Sequence, residues 1–214
     1  MQYNKKRVAI LISGRGSNMQ ALILAAKKPN YPASINLIIS NNSQAKGIEI
    51  AKKHQIPIAI IEKATYTNKT LYEKAILAKL QQYNIELICL AGYLSILRAE
   101  ILAHYENKIL NIHPSLLPNF PGLNAPDQAL KAAAAITGCT VHLVTAQLDR
   151  GPILAQAKVP ILKTDDVKSL SARILLQEHK LYPLALAQFI ANNSIEQFTS
   201  AEPTPIVKML GQHC

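Results

Sequence analysis

The sequence predicts an α/β protein: an open, doubly wound, mostly parallel sheet with helices on both faces, followed by a C-terminal hairpin and a long helix. Three observations predict it. Short apolar runs alternate with stretches of helical periodicity through the first half of the 214 residues. Runs such as Val8–Ile12 and Leu87–Ala91 are apolar throughout rather than alternating, the pattern of strands covered on both faces. Toward the C-terminus two strand-like runs stand close together and a long helical stretch follows them.

In chain order, Val8–Ser13 reads as a buried strand. Ser17–Lys28 reads as a helix, with Ser17 in the N-cap position and a stop at Pro29. Ile35–Ser40 is a second strand, Ser43–His54 a second helix and Ile56–Ile61 a third strand. Thr67–Tyr83 is amphipathic: Leu71, Ala75, Ala78 and Leu80 lie near one face, with Lys69, Glu73 and Lys74 elsewhere. Leu87–Ala91 and Lys108–Ile112 are the fourth and fifth strands. Gly138–Thr145 and Gly151–Ile161 form the hairpin around a short turn. Asp165 to Ala191 is the last helix, in which Pro183 predicts a break or kink. With no repeat, low-complexity tract or linker, residues 1–191 are expected to form one domain, and residues 192–214 a loosely attached extension.

Composition narrows the classes. With 49% hydrophobic and 17% charged residues, bulk disorder is excluded. No apolar run reaches the about 18–20 residues a membrane span needs. The N-terminus is basic, but Val8–Ile12 is too short for a signal-peptide core, so a cytoplasmic location is expected. Cys89, Cys139 and Cys214 are odd in number and far apart, which predicts thiols rather than a disulfide framework or metal site. The net charge of +10 suits either a nucleic-acid binder or a protein that handles phosphorylated or polyanionic small molecules.

Two stretches carry chemistry. Ser13-Gly14-Arg15-Gly16-Ser17-Asn18 joins the first strand to the first helix, where backbone N–H groups and the helix dipole favour an anion. It lacks the Gly-Lys-[Ser/Thr] of a Walker loop, and Met19 replaces the third glycine of a dinucleotide fingerprint. A tight turn with a Ser cap and a monophosphate or phosphoribosyl site both remain open. In Asn111-Ile112-His113-Pro114, the Asn and His lie two apart on a strand and so share a face at its C-terminal end. An amide beside an imidazole suits attack on an acyl carbon, one group stabilising an oxyanion and the other moving a proton.

Other residues are ambiguous by themselves. Asp149 is either a turn former beside Gly151-Pro152 or the partner that favours a charged His113. His142 is either a packed strand histidine or a further site residue, and Glu178 reads by default as a solvated helix charge. No HExxH spacing and no Gly-x-Ser-x-Gly elbow occur.

Taken together, five segments resemble the folate-dependent formyltransferase family, from about residue 7 to residue 190. They are Leu11–Asn18, Leu90–Leu97, Leu110–Pro118, Leu148–Pro152 and Gln177-Glu178-His179. The run Asn-Ile-His-Pro-Ser-Leu-Leu-Pro is highly specific to that superfamily, and Gly16-Ser17-Asn18 points to its glycinamide ribonucleotide branch. The resemblance implies the formyltransferase fold and a catalytic trio of Asn111, His113 and Asp149. It implies that Gly16, Ser17 and Asn18 bind the substrate phosphate and Glu178 the glycinamide end. Folate would be held by Lys69, by Leu94, Ser95, Ile96 and Leu97, by Asn111, and by the loop of Thr145, Ala146, Gln147, Leu148 and Asp149. The implied reaction moves the formyl group of 10-formyltetrahydrofolate to the amine of 5′-phosphoribosylglycinamide, with no metal, nucleic acid or membrane, in a monomer or homodimer.

Two features depart from the family. Asn124-Ala125-Pro126-Asp127-Gln128 stands where relatives carry a His-containing loop, and Ser95 stands where they often have Arg. Two related families use other acceptors. A deformylase usually carries an N-terminal regulatory domain, and only six residues precede Arg7. A methionyl-tRNA formyltransferase adds a C-terminal RNA-binding domain, for which the chain after Ile190 is short. A nucleic-acid-binding module is a third reading, but it lacks an aromatic strand and any basic cluster beyond Lys5-Lys6-Arg7.

Overall fold

A computed structural model describes residues 5–192. The C-terminal extension and Cys214 lie outside the described residues. The strands follow the order β3-β2-β1-β4-β5-β6-β7, and the chain divides into two compact units, up to Leu110 and from Asn111 on.

The first unit is built around β1 (Lys6–Ile12), which pairs in parallel with β2 (Ala33–Ser40) and β4 (Leu87–Leu90). Val8 to Ile12 are fully buried, as an unbroken apolar run with a strand on each side requires. β3 (Ile58–Ile60) extends β2 in parallel.

Three helices join these strands, and each shows what local chemistry adds to periodicity. α1 (Ser17–Ala26) buries Met19, Leu22, Ile23 and Ala25. Its N-cap is Gly16, not Ser17, which is the first helical residue and caps nothing with its side chain. α2 (Gly47–Lys53) starts four residues later than its apolar pattern suggests. The Gly47 N–H, which would close a helical turn on the Ser43 carbonyl, donates instead to the Gly14 carbonyl. α3 (Lys69–Gln82) is capped by Asn68, whose side chain accepts the Leu71 N–H.

The buried face of α3 differs from expectation. It comprises Tyr72, Glu73, Ile76, Leu77 and Leu80, while Leu71 is exposed. Large side chains outweigh the alanines that were expected to face inward, and Glu73 is tolerated there because its carboxylate accepts the Arg98 N–H at 2.9 Å. That bond sits at the start of α4 (Ala99–His104), a short helix the sequence did not announce.

The second unit contains the C-terminal end of β5 (Ile109–His113) and the hairpin of β6 (Ile136–Leu143) and β7 (Ile153–Pro160). The hairpin pairs Cys139 with Ala157 and Thr140 with Gln156, antiparallel as expected. Its connection is longer than a short turn, because β6 ends at Leu143. At the loop's far end the Leu143 N–H is held by the Pro152 carbonyl. A Cβ on Gly151 would lie 1.8 Å from the Leu143 carbonyl oxygen, so only glycine allows this closure. α5 (Ala125–Lys131) is a further unannounced helix.

α6 (Val167–Ala191) begins with a capping box between Asp166 and Ser169 and runs unbroken through Pro183. The expected break does not occur. Tyr182, Ala185, Leu186 and Phe189 are buried at and beyond the proline, and their burial offsets the about 3 kcal/mol a helix-interior proline costs. Cys89 and Cys139 are both buried thiols.

Candidate active site

In the first unit the loop after β1 is shaped by glycine contacts. Gly16 adopts φ 75°, and a Cβ there would lie 2.7 Å from the Gly47 Cα. A Cβ on Gly47 would in turn meet Ile12 Cδ1 at 2.6 Å. The Gly47 N–H donates to the Gly14 carbonyl at 3.0 Å. The start of α2 therefore braces the start of α1 backbone against backbone. The first turn of α1 keeps the outward amides of a helix N-terminus, with the Ser17 hydroxyl not spent on capping. Gly47 was not singled out in the sequence, and only its place after a turn-rich stretch could have flagged it.

Two neighbouring loops are tied to this one. The Ser13 N–H donates to the Gly92 carbonyl, and Ser13 Oγ accepts the Leu94 N–H at 2.8 Å. Asn41 Nδ2 donates to Ser95 Oγ, so Ser95 is turned toward the protein. Of the segment expected to hold folate, Leu94 and Ile96 are three-quarters exposed, while Leu97 is buried. Beneath it the Tyr72 and Tyr93 hydroxyls meet at 2.5 Å, and burial, with Tyr72 adding to it, pushes the Tyr93 phenol up. Burial likewise raises the Glu73 carboxyl, against the Arg98 N–H that lowers it. Lys69 is exposed at the start of α3.

In the second unit Asn111 and His113 do lie together at the end of β5, and the structure gathers two more groups around them. Asp149 stands in the β6–β7 loop at φ 52°, a strained backbone that Asp tolerates better than most residues. Its Oδ2 accepts the Gly122 N–H at 2.8 Å and lies 3.5 Å from His113 Nδ1. Its Oδ1 lies 3.6 Å from His142 Nε2. His142 Nε2 is 3.1 Å from Asn111 Nδ2, and His142 Nδ1 is 2.9 Å from the Leu143 carbonyl. Burial holds the His142 pKa below the usual histidine range; the Leu143 carbonyl and Asp149 oppose that, and His113 adds to it. His142, ambiguous in the sequence, thus belongs to the cluster.

The loop after β5 orients His113. His113 Nε2 lies 2.9 Å from the Phe120 carbonyl, which can only accept, so Nε2 carries a proton and Nδ1 faces Asp149. Ser115 Oγ donates to the Asn119 carbonyl, and Thr140 Oγ1 donates to the Ser115 carbonyl and accepts the Leu117 N–H. Gln156 Nε2 donates to the Leu117 carbonyl. Thr140 and Gln156 are cross-strand partners, and their polarity inside apolar runs was the one available signal for this brace. Gln128 Nε2 donates to the Pro121 and Leu123 carbonyls, which flank Gly122.

Thr145, Ala146, Gln147 and Leu148 are exposed in the β6–β7 loop. Glu178 is buried in α6 rather than solvated, near enough to Cys139 to reinforce the burial that pushes that thiol up. Among the described residues no group of His, Cys, Asp and Glu could hold a metal, and no helix is long and apolar enough to cross a membrane.

A doubly wound sheet with an amide, an imidazole and a carboxylate at one strand end fits a transferase of acyl-type groups. Comparison with known proteins agrees. The formyl transferase family pattern matches residues 6–186. Phosphoribosylglycinamide formyltransferase of Bacillus subtilis is 41% identical over 88% of this chain and 97% of its own length. The trifunctional purine biosynthetic protein adenosine-3 of Homo sapiens is 43% identical over 90% of this chain, which spans 19% of that longer protein. The crystal structure of phosphoribosylglycinamide formyltransferase from Brucella melitensis superposes with a TM-score of 0.85 at 49% identity, covering 88% of this chain and 97% of the other. The chain belongs to the formyl transferase family.

Proposed function

We propose that this protein transfers the formyl group of 10-formyltetrahydrofolate to the amine of 5′-phosphoribosylglycinamide, forming the formylated ribonucleotide of purine biosynthesis. The observation that carries the reading is the cluster of Asn111, His113 and Asp149, held within 3.6 Å contacts by the Gly122 amide and His142. The Bacillus subtilis and Brucella melitensis relatives, both named phosphoribosylglycinamide formyltransferase, support the acceptor. The family match across residues 6–186 supports reading residues 1–191 as one formyltransferase domain. A cytoplasmic monomer or homodimer acting on small molecules alone suits this reading.

The substrate amine attacks the formyl carbon, and the carbonyl oxygen becomes an oxyanion. Asn111 supplies an amide N–H to it, and His113, protonated at Nδ1, supplies a second donor. One such donor is worth about 3–4 kcal/mol of barrier. Asp149 Oδ2 is the counter-charge to the His113 imidazolium and accepts the proton the amine must lose, directly or through water. As the tetrahedral intermediate collapses, the C–N bond to the folate breaks, and a proton returns to the folate nitrogen. The loop of Gly16, Ser17 and Asn18 takes the substrate phosphate, Glu178 the glycinamide end. Lys69, the Leu94–Leu97 segment and the Thr145–Asp149 loop take the folate.

The phosphate assignment is tested by comparing kcat/KM for the ribonucleotide with that for its dephosphorylated nucleoside. The expected result is a loss of at least about 100-fold without the phosphate, the worth of two charge-assisted hydrogen bonds. Equal values would remove the glycine loop from substrate recognition.

A further inference from the structure

We infer that His142 is a positioning residue: neutral, and fixed as its Nδ1–H tautomer, it sets the polarity of the Asn111 amide, and a second proton entering the Asp149 cluster reverses that polarity. The inference rests on the formyl-transfer reading for its kinetic consequence, but not for its geometry.

One group of the cluster has no choice of role. The Leu143 carbonyl can only accept, so His142 Nδ1, 2.9 Å away, carries the hydrogen. A neutral ring then presents a lone pair at Nε2. The Asn111 group 3.1 Å from that lone pair must be its N–H₂ and not its oxygen. One hydrogen of the amide is thereby spent, and the other is left in a fixed direction for an oxyanion. A backbone carbonyl thus dictates, through one imidazole, which end of a side-chain amide faces the reaction.

Burial keeps His142 neutral, although the Leu143 carbonyl and Asp149 favour its charged form. From β5 it is faced by Asn111 and by His113, whose charge disfavours a second imidazolium. From the β6–β7 loop it is faced by Asp149 Oδ1 at 3.6 Å. From β7 its register partner is the apolar Ile153, and the acid of α6, Glu178, acts on Cys139. Asp149 is therefore one carboxylate shared by two imidazoles, with His113 Nδ1 at 3.5 Å and His142 Nε2 at 3.6 Å. One negative charge balances one imidazolium. When acid forces a proton onto His142, its Nε2–H meets the Asn111 N–H₂ donor to donor. The amide then turns its oxygen to the ring, and its N–H leaves the oxyanion.

The experiment combines nitrogen-resolved NMR of the histidine rings in the substrate-free protein with pH profiles of two variants. Expected are a His142 ring that is neutral and protonated at Nδ1 at pH 7.5, and Asn111 side-chain amide signals that shift with the His142 titration. His142→Gln, whose amide oxygen accepts from Asn111 and does not titrate, keeps kcat near wild type and shows a shallower acid-side fall. His142→Phe, which cannot accept, lowers kcat about 100-fold with KM unchanged. An Nε2–H tautomer or an imidazolium at pH 7.5 overturns the inference, as does wild-type kcat in His142→Phe. Wild-type protein with no turnover on any acceptor would sink the formyl-transfer reading, and leave the NMR result to decide the inference alone.

Discussion

The two units hold their functional groups in opposite ways. In the first, the expected phosphate site is backbone, and it is held by the lack of side chains: Gly16 against Gly47, with the Gly47 amide on the Gly14 carbonyl. In the second, the groups are side chains, held by other polar groups: Asn111 by His142, His113 by the Phe120 carbonyl, and Asp149 by the Gly122 amide. The first region is therefore sensitive to atoms added, and the second to atoms removed or exchanged.

That contrast can be broken in order of expected effect. Asp149→Asn exchanges one oxygen, keeps an acceptor for the Gly122 N–H and tolerates the left-handed backbone. Its melting temperature should stay near wild type while kcat falls about 1000-fold or more. Near wild-type turnover would remove the carboxylate from the mechanism. Gly47→Ala adds one carbon 2.6 Å from Ile12 Cδ1 and 3.2 Å from both Gly14 O and Gly16 Cα. It should cost about 1–3 kcal/mol of stability by denaturant titration and raise KM for the phosphorylated acceptor. Ser17→Ala, by removing an atom from the same loop, should cost much less.

Smaller effects concern titration. His142 has a folded pKa below its unfolded one, so its contribution to stability is present above about 6.5 and is lost as pH falls through the folded value. Urea midpoints measured from pH 7.5 downward should fall, and His142→Gln should flatten that fall. Glu73 is the opposite case: burial raises its pKa, so its ionisation costs the folded state stability. Glu73→Gln, still accepting the Arg98 N–H, should match or slightly exceed wild-type stability at pH 7, by about 0.5 kcal/mol or less, with the gap closing in acid. A large loss at pH 7 would show that the charge itself supports the loop after β4.

The strands were legible because a strand covered on both sides must be apolar throughout, and Val8–Ile12 and Leu87–Leu90 are. The helix details were not, for local reasons. The Gly14 carbonyl delays α2 by taking the Gly47 N–H that would close a turn on Ser43, which no periodicity records. α3 turns a glutamate inward because a backbone N–H from 25 residues away meets it. Pro183 failed to break α6 because the burial that carries the helix past it is tertiary. At the site, Asn111 and His113 were readable from their spacing, and Asp149 needed the family resemblance to set it apart from a turn residue. Gly47 and the Thr140–Gln156 brace depend on contacts between distant segments, and so had no motif of their own.

The account rests most on the identity of the acceptor, and one measurement addresses it. Purified protein is given 10-formyltetrahydrofolate with glycinamide ribonucleotide, with charged initiator tRNA, or with water alone, and deformylated folate is followed together with the mass of the acceptor. The expected result is folate release only with glycinamide ribonucleotide, matched by one formyl group gained per folate released. Release at the same rate in water alone, with no formylated acceptor, would contradict it and make the protein a hydrolase.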